Sequence, residues 1–145
     1  NINDINFAMI TKHRTITGQR KTYDVIGKVE DCDVIIVDDM VDTAGTLCEA
    51  VNEVKRRGAN RVLGFATHGV FSGPAVYRIL NSPIEEVVVT NTIPLDQKDI
   101  ENSGGKIKQL SVSVILAEAI RRIQQKESLT ELHLAYQNQQ EESKQ

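Results

Sequence analysis

The sequence predicts an α/β fold: a mostly parallel sheet flanked by helices in a three-layer arrangement. Three observations carry this. Residues 23–26, 34–37, 61–66 and 87–90 are rich in Val and Ile, and most of these stretches are nearly continuous in apolar character, as in strands covered on both faces; half-exposed strands alternate. Between the second and third stretch lies a run with helical spacing, giving a strand, helix, strand unit. A second such unit follows it, the pattern of a parallel sheet wrapped by helices.

Taken in order, residues 11–20 lack apolar periodicity and contain Lys12, His13, Arg14 and Arg20, which predicts a mobile basic loop. The strands at 23–26 and 34–37 come next. Over residues 46–57, Leu47, Ala50, Val51 and Val54 recur at helical spacing, Lys55, Arg56 and Arg57 fill the last turn, and Gly58 stands just beyond. Cations suit the negative end of a helix, and glycine suits its left-handed exit. A strand over 61–66, a shorter helix around 74–80 and a strand over 87–90 complete the second unit. Residues 91–105 read as a loop and 107–110 as a short strand. In the last helix, 111–125, Val112, Ile115, Leu116, Ala119, Ile120 and Ile123 form one apolar stripe, the pattern of a helix packed on a core. Residues 137–145 are rich in Gln and Glu and lack large apolar groups, which predicts a disordered polar tail after one folded domain over residues 1–136.

A chain of 145 residues holds one core of ordinary size. With 17 basic against 20 acidic residues the net charge is −3, so no bulk positive field attracts nucleic acid or an anionic membrane. Apolar runs stay well short of the roughly 20 residues of a membrane helix, and the first residues have none of the regions of a signal peptide. A cytoplasmic setting is therefore expected. Cys32 and Cys48 show no CxxC spacing and read as reduced, packed thiols. The sequence starts at Asn1 rather than Met, in keeping with a piece of a longer chain.

Chemistry concentrates in VIIVDDMVDTAGT, residues 34–46: an apolar strand, two adjacent carboxylates, a small and hydroxylic turn, then a helix. Where a parallel strand gives way to a helix, unpaired backbone N–H groups and the positive helix terminus converge, and a phosphate can be held without Lys or Arg. Thr43 and Thr46 add hydroxyl donors, while Ala44 and Gly45 leave the backbone open to close approach. Asp38 and Asp39 are acceptors suited to sugar hydroxyls or metal-bound water. Neither GxxxxGK[ST] nor GxGxxG is present, so the phosphate belongs to neither of those nucleotide-binding classes.

This motif resembles the phosphoribosyl-binding motif of the type I phosphoribosyltransferase fold, in the variant of the ribose-phosphate diphosphokinase (PRPP synthetase) family. Further stretches agree: AMITKHR at 8–14 is similar to that family's catalytic flexible loop, THGVFSGPA at 67–75 and VVTNTIP at 88–94 to two later signatures, and SVILAEAIRR at 113–122 to its last helix. The resemblance implies the carboxyl-terminal domain of a two-domain enzyme that transfers the diphosphoryl group of MgATP to ribose 5-phosphate, giving PRPP and AMP. It implies that Asp42, Thr43, Ala44, Gly45 and Thr46 bind the 5-phosphate, that Asp38 and Asp39 bind the ribose hydroxyls and help place Mg²⁺ through water, and that Lys12 and Arg14 close over the ATP phosphates as catalytic residues. It also implies a homo-oligomer, with phosphate and ADP as effectors near Ser128 and Thr130. The family's amino-terminal domain, with its adenine contacts and metal-binding His, is absent from this sequence, so the chain is expected to bind ribose 5-phosphate without being active alone. A non-catalytic regulatory subunit of the same fold and a small phosphoribosyltransferase are the alternatives.

Overall fold

The computed structural model describes residues 5–14 and 21–132. The chain divides into two compact units, Asn1–Leu110 and Ser111–Gln145. In the first, β1 (Met9–Arg14) and β2 (Lys21–Ile26) form an antiparallel pair, with Met9 opposite Ile26 and Arg14 opposite Lys21. A separate sheet contains β3 (Val34–Val41), β4 (Val62–Gly69), β5 (Glu86–Thr90) and β6 (Ile107–Leu110), in that order and with every neighbouring pair parallel. The expected α/β class and parallel sheet are both present.

Helix α1 (Gly45–Arg56) buries Leu47, Ala50, Val51 and Val54, the residues its spacing singles out. Leu47, Val51 and Val54 join Val62, Val87, Val89, Ile107, Ile79 and Ile84 in one core. Each such side chain removed from water contributes about 1.5–3 kcal/mol. A Cβ at Gly64 would lie 3.2 Å from Ile84 Cδ1 and 3.5 Å from Leu47 Cδ1, so the glycine lets α1 approach the sheet closely. Gly58 follows the helix at φ +89°, as its place after the basic last turn predicts. The β2 strand is tied to α1 by the Tyr23 hydroxyl, which donates to Glu49, and by Arg57 Nη1, which donates to the Val25 carbonyl at 3.0 Å. Helix α2 (Ala75–Leu80) lies where expected, with Pro74 as its N-cap. Lys106 Nζ donates to the carbonyls of Leu80 and Ser82 at 3.0 and 2.7 Å, closing the end of α2.

Three expectations are corrected. The basic segment is extended and paired over Met9–Arg14 rather than a loop from Thr11; backbone bonds alone satisfy a two-stranded ribbon, which leaves no apolar period to read. Residues 91–105 contain α3 (Gln97–Asn102), whose first turn is capped by the Asp96 side chain accepting from the Lys98 N–H at 3.0 Å. Burial on both faces holds for β5, where Val87, Val88 and Val89 are all buried, but not for β3, whose Ile35 and Val37 are 60% and 77% exposed. β3 is an edge strand of its sheet.

In the second unit, α4 (Ser113–Gln125) forms as expected, but Ile115, Leu116, Ile120 and Ile123 of its stripe are exposed. Its polar side is laced by charge: Glu118 accepts from Arg121 and Arg122, each at 2.8 Å. Those two guanidiniums hold the Glu118 carboxyl down at about 2. The expected polar tail, 137–145, lies outside the described residues. Among the described residues, no helix is long and apolar enough to cross a membrane. Both cysteines are free, and burial raises the Cys48 thiol above its ordinary value.

Candidate functional site

The candidate site is built where β3 hands over to α1. Strand β3 runs further than its apolar part and takes in Asp38, Asp39 and Met40 before ending at Val41. A β-strand turns successive side chains to opposite faces, so Asp38 shares a face with its neighbour Ala66 on β4, and Asp39 belongs to the other. Both acids are exposed. The Asp38 carboxylate accepts the Asp39 backbone N–H at 2.9 Å.

Asp42 and Thr43 form an exposed bend, and Ala44 follows as N-cap of α1 in the left-handed conformation, φ 56° and ψ 10°. A residue with a Cβ pays about 1–2 kcal/mol there, and local strain of this kind concentrates at functional turns. Packing holds the conformation, since Ala44 is only 4% exposed. The carbonyls ahead of it are all turned to one side. Val41 O accepts from the N–H groups of Val70 and Phe71 at 3.0 and 3.1 Å, Asp42 O from Ser72 N–H at 3.1 Å, and Thr43 O from Arg78 Nη1 at 2.9 Å.

With those acceptors occupied, the start of α1 is left as a donor surface. No side chain caps the helix and no acid lies in its first turn; in contrast, α3 has both a capping Asp and an acid in its first turn. A Cβ on Gly45 would meet only Arg78 Nη1 at 3.4 Å and Thr43 Oγ1 at 3.7 Å. The space over Gly45 is therefore open and faced by donors, a geometry that accepts an anionic oxygen. A cleft of about 770 Å³ with largely apolar walls, among them Ile35, Val37 and Leu47, runs along β3 and reaches Asp38 and Thr46. A depression of about 470 Å³ lies at the other end of α1, against Arg56–Gly58, far from these groups.

At the ends of β4 and β5, Thr90 and Thr92 donate their hydroxyls to Thr67 O at 2.7 and 3.1 Å. The Thr92 hydroxyl also lies 2.8 Å from His68 Nδ1, which ties the end of β4 to the residues that follow β5.

The structure thus brings Asp42, Thr43, Ala44, Gly45 and Thr46 together in one turn, with Asp39 and Asp38 three and four residues upstream of Asp42 in β3. Lys12 and Arg14 lie in β1, opposite Tyr23 and Lys21; their side chains are outside the described residues. Ser128 and Thr130 belong to the second unit, where the Ser128 carbonyl accepts from Arg122 Nη1 at 2.8 Å. Arg122 is already paired with Glu118 and, at 3.7 Å, with Glu131. Among the described residues there is no group of three or more His, Cys, Asp or Glu able to hold a metal ion. Two carboxylates on opposite faces fit only a Mg²⁺ that keeps most of its water and takes further oxygens from substrate. Arg78 is the residue that sequence reasoning missed: it is far from the motif in sequence, on a helix whose pattern carries no signal beyond burial.

The profile of the phosphoribosyl synthetase-associated domain matches residues 7–134. The chain belongs to this family. Two relatives named ribose-phosphate pyrophosphokinase are each 47% identical to it. The one from Haemophilus influenzae aligns over 129 residues, 89% of this chain and 40% of the relative; the one from Aquifex aeolicus aligns over 125 residues, 86% and 39%. The crystal structure of phosphoribosylpyrophosphate synthetase from Mycobacterium smegmatis superposes with a TM-score of 0.71 at 36% identity, covering 82% of this chain and 37% of that one. The phosphoribosyl synthetase-associated domain seen here thus spans about 40% of the length of these curated relatives, and the family resemblance read from residues 34–46 is borne out.

Proposed function

We propose that this chain is the ribose 5-phosphate-binding, carboxyl-terminal part of a ribose-phosphate diphosphokinase. The observation that carries the proposal is the uncapped start of α1, with the carbonyls of Val41, Asp42 and Thr43 turned away from it. In the full protein the reaction would join the anomeric oxygen of ribose 5-phosphate to the β-phosphorus of ATP and release AMP. Residues 42–46 hold the 5-phosphate, Asp38 and Asp39 receive ribose hydroxyls and the water of a bound Mg²⁺, and Lys12 and Arg14 meet the ATP phosphates. Phosphoryl transfer depends on aligning oxygens and balancing charge, and each group has such a role. When bound, Mg²⁺ would supply neutralisation of the phosphate charge.

A homo-oligomer, and regulation by phosphate and ADP near Ser128 and Thr130, belong to the same proposal, as does a cytoplasmic setting. The reading as a regulatory subunit draws support from the words "synthetase-associated domain", and the presence of Lys12, Arg14, Asp38 and Asp39 speaks against it. Calorimetric titration of the chain with ribose 5-phosphate, and with ribose as control, tests the site. Binding of the phosphate ester alone is expected; equal binding of both sugars, or of neither, overturns it. Activity of the full-length protein decides between enzyme and regulator.

A further inference from the structure

We propose that Arg78 is the specificity-determining cation of the phosphate loop, holding the Thr43 carbonyl and donating to a phosphate ester bound over Gly45. The inference rests on the reading of residues 42–46 as that loop.

Several observations converge. Arg78 Nη1 donates to Thr43 O at 2.9 Å, which places the guanidinium beside the turn rather than along its own helix. The same nitrogen is 3.4 Å from the point a Gly45 Cβ would occupy, so the guanidinium borders the open space over Gly45 where an anionic oxygen would be received. Every other arginine with a described side chain pairs with an acid: Arg56 and Arg57 with Glu53, Arg61 with Asp33, Arg121 and Arg122 with Glu118. Arg78 has no carboxylate partner among the described residues. A guanidinium has five N–H donors in a rigid fork, and a single carbonyl occupies one of them.

The position is also well held. Ile79, the next residue of α2, is fully buried, and Lys106 closes the end of the helix, so the arginine stands on a fixed base while its own side chain is exposed. Bonds between two ionised groups are roughly twice as strong as neutral ones. A phosphate dianion therefore gains from this residue, and an uncharged sugar does not.

The test is calorimetry on the whole chain with ribose 5-phosphate and with ribose, for the wild type, Arg78→Met and Arg78→Lys, with thermal melting of each. The expected result is that Arg78→Met binds ribose 5-phosphate at least about tenfold more weakly, with a smaller loss of affinity on adding salt, while Arg78→Lys returns to within about threefold of wild type. Melting temperatures should stay within a few degrees. If the wild type binds ribose 5-phosphate and Arg78→Met binds it within about threefold, Arg78 has no such role and the loop reading survives. If both variants weaken equally and melt lower, the residue acts through packing alone and the inference fails. A wild type that does not bind ribose 5-phosphate removes the loop reading and this inference together.

Discussion

Asp38 and Asp39 stand on opposite faces of β3, joined by the bond from the Asp39 backbone N–H to the Asp38 carboxylate. The adjacent acids therefore approach a ligand from different sides, and each serves a different atom of it. In a full-length synthetase of the family, Asp38→Asn and Asp39→Asn should each lower kcat/KM by about tenfold or more, a loss near 1.4 kcal/mol. Asn keeps an acceptor oxygen for the Asp39 N–H, so melting temperatures should hold. Collapse of the fold in either variant, or full activity in both, would remove the proposed roles.

Gly45→Val should abolish binding of ribose 5-phosphate, because its side chain fills the open space faced by Arg78 and Thr43. The nearest atoms lie at 3.4 and 3.7 Å, ordinary contact distances, so the domain should still fold. Unchanged affinity in a folded variant places the phosphate elsewhere.

Ala44 tests the left-handed cap by stability alone. Ala44→Gly relieves the strain of φ 56° and loses one buried methyl group, so the two effects should leave stability within about 1 kcal/mol. Ala44→Val puts a branched Cβ into that conformation and should cost more than about 2 kcal/mol. Equal denaturant midpoints for the two variants would show that the cap is not strained.

Burial first, and then the Glu49 carboxylate, pushes the Tyr23 hydroxyl up to about 12. Its proton stays on in the folded state after the unfolded chain has released it near pH 10. The unfolded state then binds fewer protons, so this contribution is complete below pH 10 and is lost as pH rises from about 10 to about 12. A spectrophotometric titration should show one late phenol that disappears in Tyr23→Phe, and that variant should lose less stability across the window. An identical titration curve would contradict the assignment.

Lys12 and Arg14 lie on a paired strand, so their backbone is placed before any ATP arrives. Replacing both with Ala in a full-length synthetase should lower kcat by orders of magnitude and leave ribose 5-phosphate binding to this chain nearly unchanged, as for groups that act in the transition state. A kcat within about threefold of wild type, less than about 1 kcal/mol, would take them out of the mechanism.

The turn from β3 to α1 was legible because backbone geometry and residue type agree there: apolar strand, acids, small residues, helix. α1 was legible through its apolar stripe, which the core uses residue for residue. The β1 ribbon was not, since its pairing with β2 is made by backbone bonds, which residue type in Thr11 to Arg14 does not reveal. The exposure of Ile35 and Val37 was hidden for a different reason: an apolar run reads alike whether or not both faces are covered. Arg78 left no trace because its partner, Thr43, is chosen by tertiary folding and not by spacing.

The strands of the larger sheet lie in the order in which they leave the ribosome, β3, β4, β5, β6. Each newly made strand therefore finds its pairing edge already laid down by the one before it, and no strand has to wait for a later one in order to be inserted. Growth of this kind keeps loop closures short, which favours fast folding. The β3–α1 turn is complete as soon as the first helix is made, but the groups that turn its carbonyls aside arrive only with residues 70–78. A nascent chain stalled before Val70 would carry residues 34–46 intact in sequence and still lack the groups that hold the carbonyls of Val41, Asp42 and Thr43 aside, the arrangement on which the proposed phosphate site depends.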